Sequence, residues 1–128
     1  MTPASRLLLD THVFLWWRIE PSRLTSEVRD RIGSADVVFV SAASAWEAGI
    51  KVSQGRLKLP ETMEAGVHAS GFEKLLISFA HAERAAGLPP HHRDPFDRML
   101  IAQAQAEDLT FVTHDRLLEP YDVELLWA

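Results

Sequence analysis

The chain has 128 residues, a formal net charge of -5 and no cysteine. This length is typical of one domain with a full core, so residues 1–128 are expected to form a single domain. The charge argues against a simple basic nucleic-acid-binding protein, and the lack of cysteine excludes disulfides and thiolate zinc sites. Because no run of ~18 apolar residues occurs and Met1 to Arg6 lacks a signal-peptide pattern, a cytoplasmic protein is expected.

Strands and helices are predicted to alternate along the chain. Short apolar runs suit strands buried on both faces, whereas longer stretches between caps and prolines suit helices. The predicted elements, in chain order, are strand 7–9, helix 12–18, helix 26–32, strand 37–40, helix 42–52, helix 60–69, strand 73–79, helix 81–86, helix 94–107, strand 109–113 and edge strand 123–127. This order predicts an α/β fold, a three-layer α/β/α sandwich around a parallel sheet of four to five strands.

Turn residues set several of these boundaries. Pro21 is expected to end the first helix, Thr25 to cap the second and Gly33 to stop it. The paired prolines at 89–90 predict a loop before the long helix, because proline cannot continue a helix. Asp94 at the cap position and Pro95 at the first helical position are a strong start signal for that helix.

Four acidic residues are predicted to gather at one edge of the sheet. Asp10 ends the first strand and Asp115 follows the fourth, while Glu47 and Asp97 lie in helices that begin at the same edge. Neighbouring strands are about 4.8 Å apart, so these side chains can converge. Convergent carboxylates repel one another unless a cation bridges them, and oxygen-rich sites select Mg²⁺ or Mn²⁺. The pattern therefore predicts metal-assisted hydrolysis of a phosphodiester.

Each acid also has a structural interpretation. Asp10 suits a helix cap, Glu47 an ion pair with Lys51 four residues later, and Asp115 a turn. Asp97 would complement a helix dipole, but all four at one edge favour a shared site.

Other polar and aromatic residues lie near these acids in the sequence. The sequence has no His-x-x-x-His pattern that would favour a histidine-ligated zinc site. Trp16, Trp17 and Phe14 are expected in the core or at a dimer face rather than as a platform for bases. The residues expected to support the metal-binding acids are Asp94, Thr11, Thr113 and His114, and those expected to contact substrate phosphates are Arg93, Arg98 and Lys51.

The sequence resembles PIN domains, specifically the VapC-type toxins of bacterial toxin–antitoxin pairs. The resemblance covers nearly the whole chain, with its motifs in the family's order and spacing. The matching segments are Leu-Leu-Asp-Thr-His at 8–12 with Leu-Trp at 15–16, the stretch 41–47 with Trp46, Asp-Pro-Phe-Asp-Arg at 94–98, Leu-Ile-Ala-Gln-Ala at 100–104 and Thr-His-Asp at 113–115.

The resemblance implies a Mg²⁺- or Mn²⁺-dependent endoribonuclease with Asp10, Glu47, Asp97 and Asp115 as its acidic quartet. It also implies a homodimer and a small VapB-like antitoxin whose tail blocks the site. Thr113 matches a hydroxyl frequent near the metal in this family. Transfer, ribosomal and messenger RNA all stay open as targets.

Three other classes of protein share some of these features. A phospho-acceptor receiver domain would need a second acid beside Asp10 and a lysine after a late strand, but no lysine follows Lys74. A haloacid-dehalogenase-type phosphatase would need Asp-x-Asp, whereas residue 12 is histidine. A non-catalytic PIN-like module that binds RNA or protein is the remaining alternative, and the intact quartet argues against it.

Overall fold

A computed structural model describes residues 5–128 of the chain. Residues 1–4 lie outside the described part. The expectation that the N-terminus is not a signal peptide therefore concerns residues that are mostly not described. The helices and strands are β1 (Arg6–Leu9), α1 (Thr11–Ile19), α2 (Ser26–Ser34), β2 (Val37–Ser41), α3 (Ala42–Ser53), α4 (Met63–Ala69), β3 (Glu73–Leu75), α5 (Phe79–Ala86), α6 (Pro95–Glu107), β4 (Thr110–Thr113) and β5 (Leu125–Trp127), with short 3₁₀ helices at Pro21–Arg23 and Arg116–Leu118.

The strands form one parallel sheet in the order β3-β2-β1-β4-β5. The central strand β1 pairs with β2 and β4, so that Leu8 lies beside Phe39 on one side and Phe111 on the other. The predicted α/β fold and the edge position of the last strand are confirmed. Because the strands are parallel, β1, β2 and β4 all end at one edge, which positions the residues that follow them.

A hydrophobic core lies on each face of the sheet. Leu7 and Leu9 pack into one cluster with Val13 and Phe14 of α1. Leu8 points to the other face, where its cluster includes Leu100, Ile101 and Phe111. Since successive strand residues point to opposite faces, an unbroken leucine run fits a sheet that is covered by helices on both sides.

The predicted strand 73–79 is too long at its C-terminal end. β3 stops at Leu75, and Ser78 begins α5 by accepting a hydrogen bond from the His81 N–H while its own N–H donates to His81 Nδ1. This reciprocal cap satisfies two backbone groups at the start of the helix. The apolar residues Leu76 and Ile77 made the segment before it resemble a continuing strand in the sequence.

Two helix boundaries also differ from the prediction. Gly33 lies inside α2, which continues to Ser34 and ends at Ala35, so the glycine is not a stop. The helix predicted from residue 60 begins at Met63, because the Thr62 side chain caps it by accepting a hydrogen bond from the Ala65 N–H. Among the described residues, no helix has the length and apolarity to span a bilayer.

Candidate active site

Asp10 occupies the end of the central strand and is almost fully buried, with 3% of its surface exposed. Its carboxylate Oδ2 accepts a hydrogen bond of 2.7 Å from the Thr113 hydroxyl. Asp10 stands at the N-cap position of α1, but its side chain makes no capping hydrogen bond, so the capping interpretation is wrong. Burial raises the pKa of Asp10, although the Thr113 hydrogen bond and the nearby His12 and His114 act in the opposite direction.

Glu47 lies on α3 and is also buried. Its Oε2 is 3.5 Å from Lys51 Nζ, which confirms the predicted ion pair along the helix. Its Oε1 is buried and, within residues 5–128, has no hydrogen-bond partner. A buried carboxylate oxygen without a donor is costly, so this atom is suited to a cation.

Asp97 lies in the first turn of α6, with a side chain that is only 15% exposed. Burial raises the pKa of Asp97 to about 7, and the negative charges of Asp10, Asp94 and Glu47 add to this effect, whereas His92 opposes it. The surroundings of these carboxylates therefore hold too little positive charge for all of them to be ionised at once. This is expected at a site where a metal ion would bind.

His92 lies between two of the acids and was missed as a site residue by the sequence analysis. Its Nε2 is 2.9 Å from Asp97 Oδ2 and 3.3 Å from Asp115 Oδ2. His92 Nδ1 accepts the Arg93 N–H, so Nε2 is the nitrogen that carries the proton in the neutral ring. His92, Asp97 and Asp115 each offer one ligand atom, and these atoms lie within 4.8 Å of one another.

Thr113 and Asp115 connect β4 to this site. The Asp115 N–H donates a 3.1 Å hydrogen bond to the Thr113 hydroxyl, which in turn donates to Asp10. Asp115 Oδ1 caps the following 3₁₀ helix by accepting from the Leu117 N–H, as the turn interpretation expects. Its Oδ2 is the atom that faces His92, so Asp115 has both a structural and a site-facing oxygen.

Two of the predicted supporting residues have structural roles. Asp94 Oδ1 accepts hydrogen bonds from the Phe96 and Asp97 N–H groups, which makes it the cap of α6 and fixes the position of Asp97. The buried Thr11 hydroxyl donates to Ser44 Oγ at 2.8 Å, a bond that joins α1 to α3 rather than contacting an acid.

The three residues predicted to contact phosphate differ in their availability. Arg98 donates to the carbonyl oxygens of four residues in and before the loop 88–93, namely Ala85, Leu88, Pro89 and His92. Its guanidinium therefore anchors this loop and is not free to bind phosphate, which corrects the prediction. Arg93 is exposed, and Lys51 lies beside Glu47 at the site.

The donor set at the sheet edge fits a hard divalent cation. The carboxylate oxygens of Asp97 and Asp115 lie with His92 within 4.8 Å, and Asp10 and Glu47 are near enough for their charges to raise the pKa of Asp97. The unpartnered Glu47 Oε1 and the raised pKa of Asp97 both mark a deficit of positive charge. Oxygen ligands of this kind favour Mg²⁺ or Mn²⁺ over metals that prefer sulfur or several imidazoles.

Comparisons with known proteins agree with this fold. The family model of the PIN domain matches residues 7–123. Ribonuclease VapC22 of Mycobacterium tuberculosis is 32% identical over 118 residues, which cover 90% of this chain and 91% of the relative.

Solved structures of toxin–antitoxin proteins share the same fold at low sequence identity. The structure of VapBC2 from Rickettsia felis bound to promoter DNA matches with a TM-score of 0.70 and 16% identity, over 94% of this chain and 97% of that one. DNA-bound VapBC from Salmonella typhimurium matches with a TM-score of 0.65 and 18% identity, over 95% and 97% of the two chains.

Proposed function

The chain belongs to the PIN domain family and is of the VapC type, and we propose that it is a metal-dependent endoribonuclease that hydrolyses RNA phosphodiester bonds. The observation that supports this most strongly is the convergence of Asp97 and Asp115 on His92, at 2.9 and 3.3 Å, beside the buried Asp10. The ribonuclease activity named for the Mycobacterium tuberculosis relative supports the same reaction.

Asp10, Glu47, Asp97 and Asp115 would hold Mg²⁺ or Mn²⁺. When bound, such an ion supplies an activated water and neutralises charge on the phosphodiester transition state. Thr113 positions the Asp10 carboxylate by donating a hydrogen bond to it, and Asp94 positions Asp97 by capping α6. These are positioning residues, since neither is argued to touch the reacting atoms.

Lys51, Asp97 and His92 would have different roles beside the metal-binding acids. Lys51 Nζ pairs with Glu47 Oε2 at 3.5 Å, which holds its positive charge at the edge where a phosphate would bind. In the metal-free protein Asp97 has a pKa of about 7 and can hold a proton near neutral pH. His92 donates from Nε2 and keeps Asp97 and Asp115 close together.

The same proposal includes the partners of the protein. Antitoxin complexes among the structural relatives support a VapB-like antitoxin as the partner of this chain, which would act as a homodimeric toxin in the cytoplasm. The alternative is a non-catalytic module that binds RNA or protein through the same fold.

Cleavage of a mixed cellular RNA pool tests the proposed activity. Purified, folded protein free of antitoxin is incubated with the pool in Mg²⁺, Mn²⁺ or EDTA. Discrete fragments that form only with metal are expected, because the acidic residues need a cation to approach an RNA phosphate. Intact RNA under all three conditions would favour the non-catalytic module.

A further inference from the structure

We propose that His12, Trp16 and His114, the aromatic cluster, form a stacking subsite for an unpaired nucleotide beside the acidic residues. The ligand of this subsite would be the base of one unpaired nucleotide. This inference rests on the proposed function, because it concerns the RNA that the same site would cleave.

The three rings contact one another, with 49° to 78° between their planes. The ring centroids of Trp16 and His114 are 4.7 Å apart, those of His12 and His114 are 5.7 Å apart, and those of His12 and Trp16 are 6.3 Å apart. These separations are within the range of direct contact between aromatic rings. His114 is exposed and His12 and Trp16 are half-buried, so Trp16 is not enclosed in the core, which was one of the two places expected from the sequence. A flat group from solvent can therefore reach the cluster without a rearrangement of the core.

The aromatic cluster directly adjoins the acidic residues. His12 lies in the first turn of α1, two residues after Asp10. His114 lies between Thr113, whose hydroxyl binds Asp10, and Asp115, whose Oδ2 faces His92. A nucleotide stacked on these rings would therefore place its phosphate next to the carboxylates.

Cationic side chains lie on either side of the rings. The Arg23 guanidinium carbon is 5.5 Å from the Trp16 ring centroid, although Arg23 also pairs with the exposed Glu20 at 3.3 Å. Lys51 Nζ is 3.4 Å from His12 Nε2. Lys51 also pairs with Glu47, so each of these cations is shared with an acid, but both place a positive group beside the rings, where the phosphates that flank a stacked base would lie.

The combination of rings and cations distinguishes single strands from duplexes. Proteins bind unpaired RNA by stacking its bases on aromatic side chains and by contacting the backbone with basic ones. In an A-form duplex the bases are already stacked on one another, and their faces are not accessible to a protein ring. The aromatic cluster is therefore expected to select unpaired nucleotides.

Replacement of His114, the most exposed ring, tests this subsite. A fluorescein-labelled RNA of random sequence, about 12 nucleotides long, is titrated with protein in Mg²⁺, as a single strand or annealed to its complement. All proteins carry Asp97→Asn to prevent cleavage. His114→Ala is expected to weaken single-strand binding about five-fold or more without changing duplex binding, whereas His114→Phe stays within about two-fold of the parent. His68→Ala, at an exposed histidine of α4, is the matched control.

Three results would overturn the subsite. Equal single-strand affinity of the His114→Ala and His68→Ala proteins would assign the rings to something other than RNA, such as a protein partner. Loss of binding in His114→Phe would show that charge, not stacking, matters. Absence of RNA binding by the parent would also refute it.

The outcomes for the subsite and for the proposed nuclease are separable. Wild-type protein that cuts RNA with metal but binds it independently of His114 would retain the nuclease and lose the subsite. Protein that binds single strands through His114 but cuts no RNA with any metal would retain the subsite and refute the nuclease.

Discussion

At the scale of single residues, the acidic site shows how burial and like charges act on one carboxyl group. Asp97 is close enough to Asp10, Asp94 and Glu47 for each to disfavour its ionisation, and burial disfavours it further. His92 compensates only in part. The fold therefore holds carboxylates close together, and a divalent cation would reduce the repulsion between them. The effect of this repulsion on protein stability can be measured without any substrate.

The stability of the metal-free protein should fall as pH rises through the titration of Asp97. The folded pKa is about 7 and the ordinary value is 3.8, so between these values the folded state holds a proton that the unfolded state has lost. Below the lower of these pKa values Asp97 does not change the free energy of unfolding, and above the higher one it lowers this free energy by its full amount. Asp97→Asn removes the charge, so in EDTA it should be more stable than wild type at about pH 8, on the order of 2–4 kcal/mol, and equal at about pH 4.

Urea unfolding in EDTA at the two pH values measures this difference. Asp30→Asn, at an exposed residue of α2, is the control and should show no such pH dependence. A constant difference between Asp97→Asn and wild type across the range would mean that Asp97 is not electrostatically strained.

Asp94 is expected to contribute through its cap. Asp94→Ala leaves the Phe96 and Asp97 N–H groups without their acceptor, so the free energy of unfolding should fall by about 0.5–2 kcal/mol. Asp94→Ser, which retains a capping oxygen, should recover most of this loss. Unchanged melting of Asp94→Ala together with abolished RNA cleavage would instead assign Asp94 to the metal.

At the scale of elements, the loop 88–93 and the start of α6 form one unit that positions His92. Arg98 anchors the loop through its carbonyls, and the Tyr121 hydroxyl accepts the His92 N–H and donates to Pro89 O. The paired prolines predicted the loop, and the Asp-Pro-Phe-Asp motif predicted the helix start. Neither pattern places His92 against Asp97, because that depends on contacts with residues distant in sequence.

Removal of the anchor should loosen this unit. Arg98→Ala leaves several loop carbonyls without a donor, and the free energy of unfolding is expected to fall by about 2 kcal/mol or more, since hydrogen bonds to charged groups are among the stronger ones. Arg93→Ala, at the exposed neighbouring arginine, should cost little. Equal melting temperatures for the two variants would refute the anchoring role of Arg98.

At the scale of the whole molecule, the sequence predicted the sheet better than its edges. The central run Leu7–Leu9 has no alternation, and the structure buries its residues on both faces. The edge strand β3 was predicted too long, because the apolar Leu76 and Ile77 resemble strand residues although they lie outside the sheet. The four acids could be predicted to converge because parallel strands end at one edge, and their role as a metal site stays a prediction. The partners of Thr11 and Arg98 could not be predicted, because sequence does not show which group a polar side chain meets.

The exposed apolar residues after β3 offer a test of the homodimer. Leu76 is 72% exposed and Phe79 is 88% exposed, values that suit contact with a second copy of the chain. Phe79→Glu is expected to convert a dimer to a monomer in analytical ultracentrifugation. Val52→Glu, at an exposed apolar residue of α3, is the control and should stay dimeric. A wild-type protein that sediments as a monomer at all concentrations would contradict the homodimer.

The most direct test of the proposed nuclease compares RNA cleavage by wild type, Asp97→Asn and Asp30→Asn in Mg²⁺ and in EDTA. Circular dichroism first confirms that all three are folded. Asn is close to Asp in size but carries no charge, so metal-dependent fragments should form with wild type and Asp30→Asn and be absent with Asp97→Asn. Cleavage by Asp97→Asn at the wild-type rate would contradict the assignment of this acidic site as the catalytic centre.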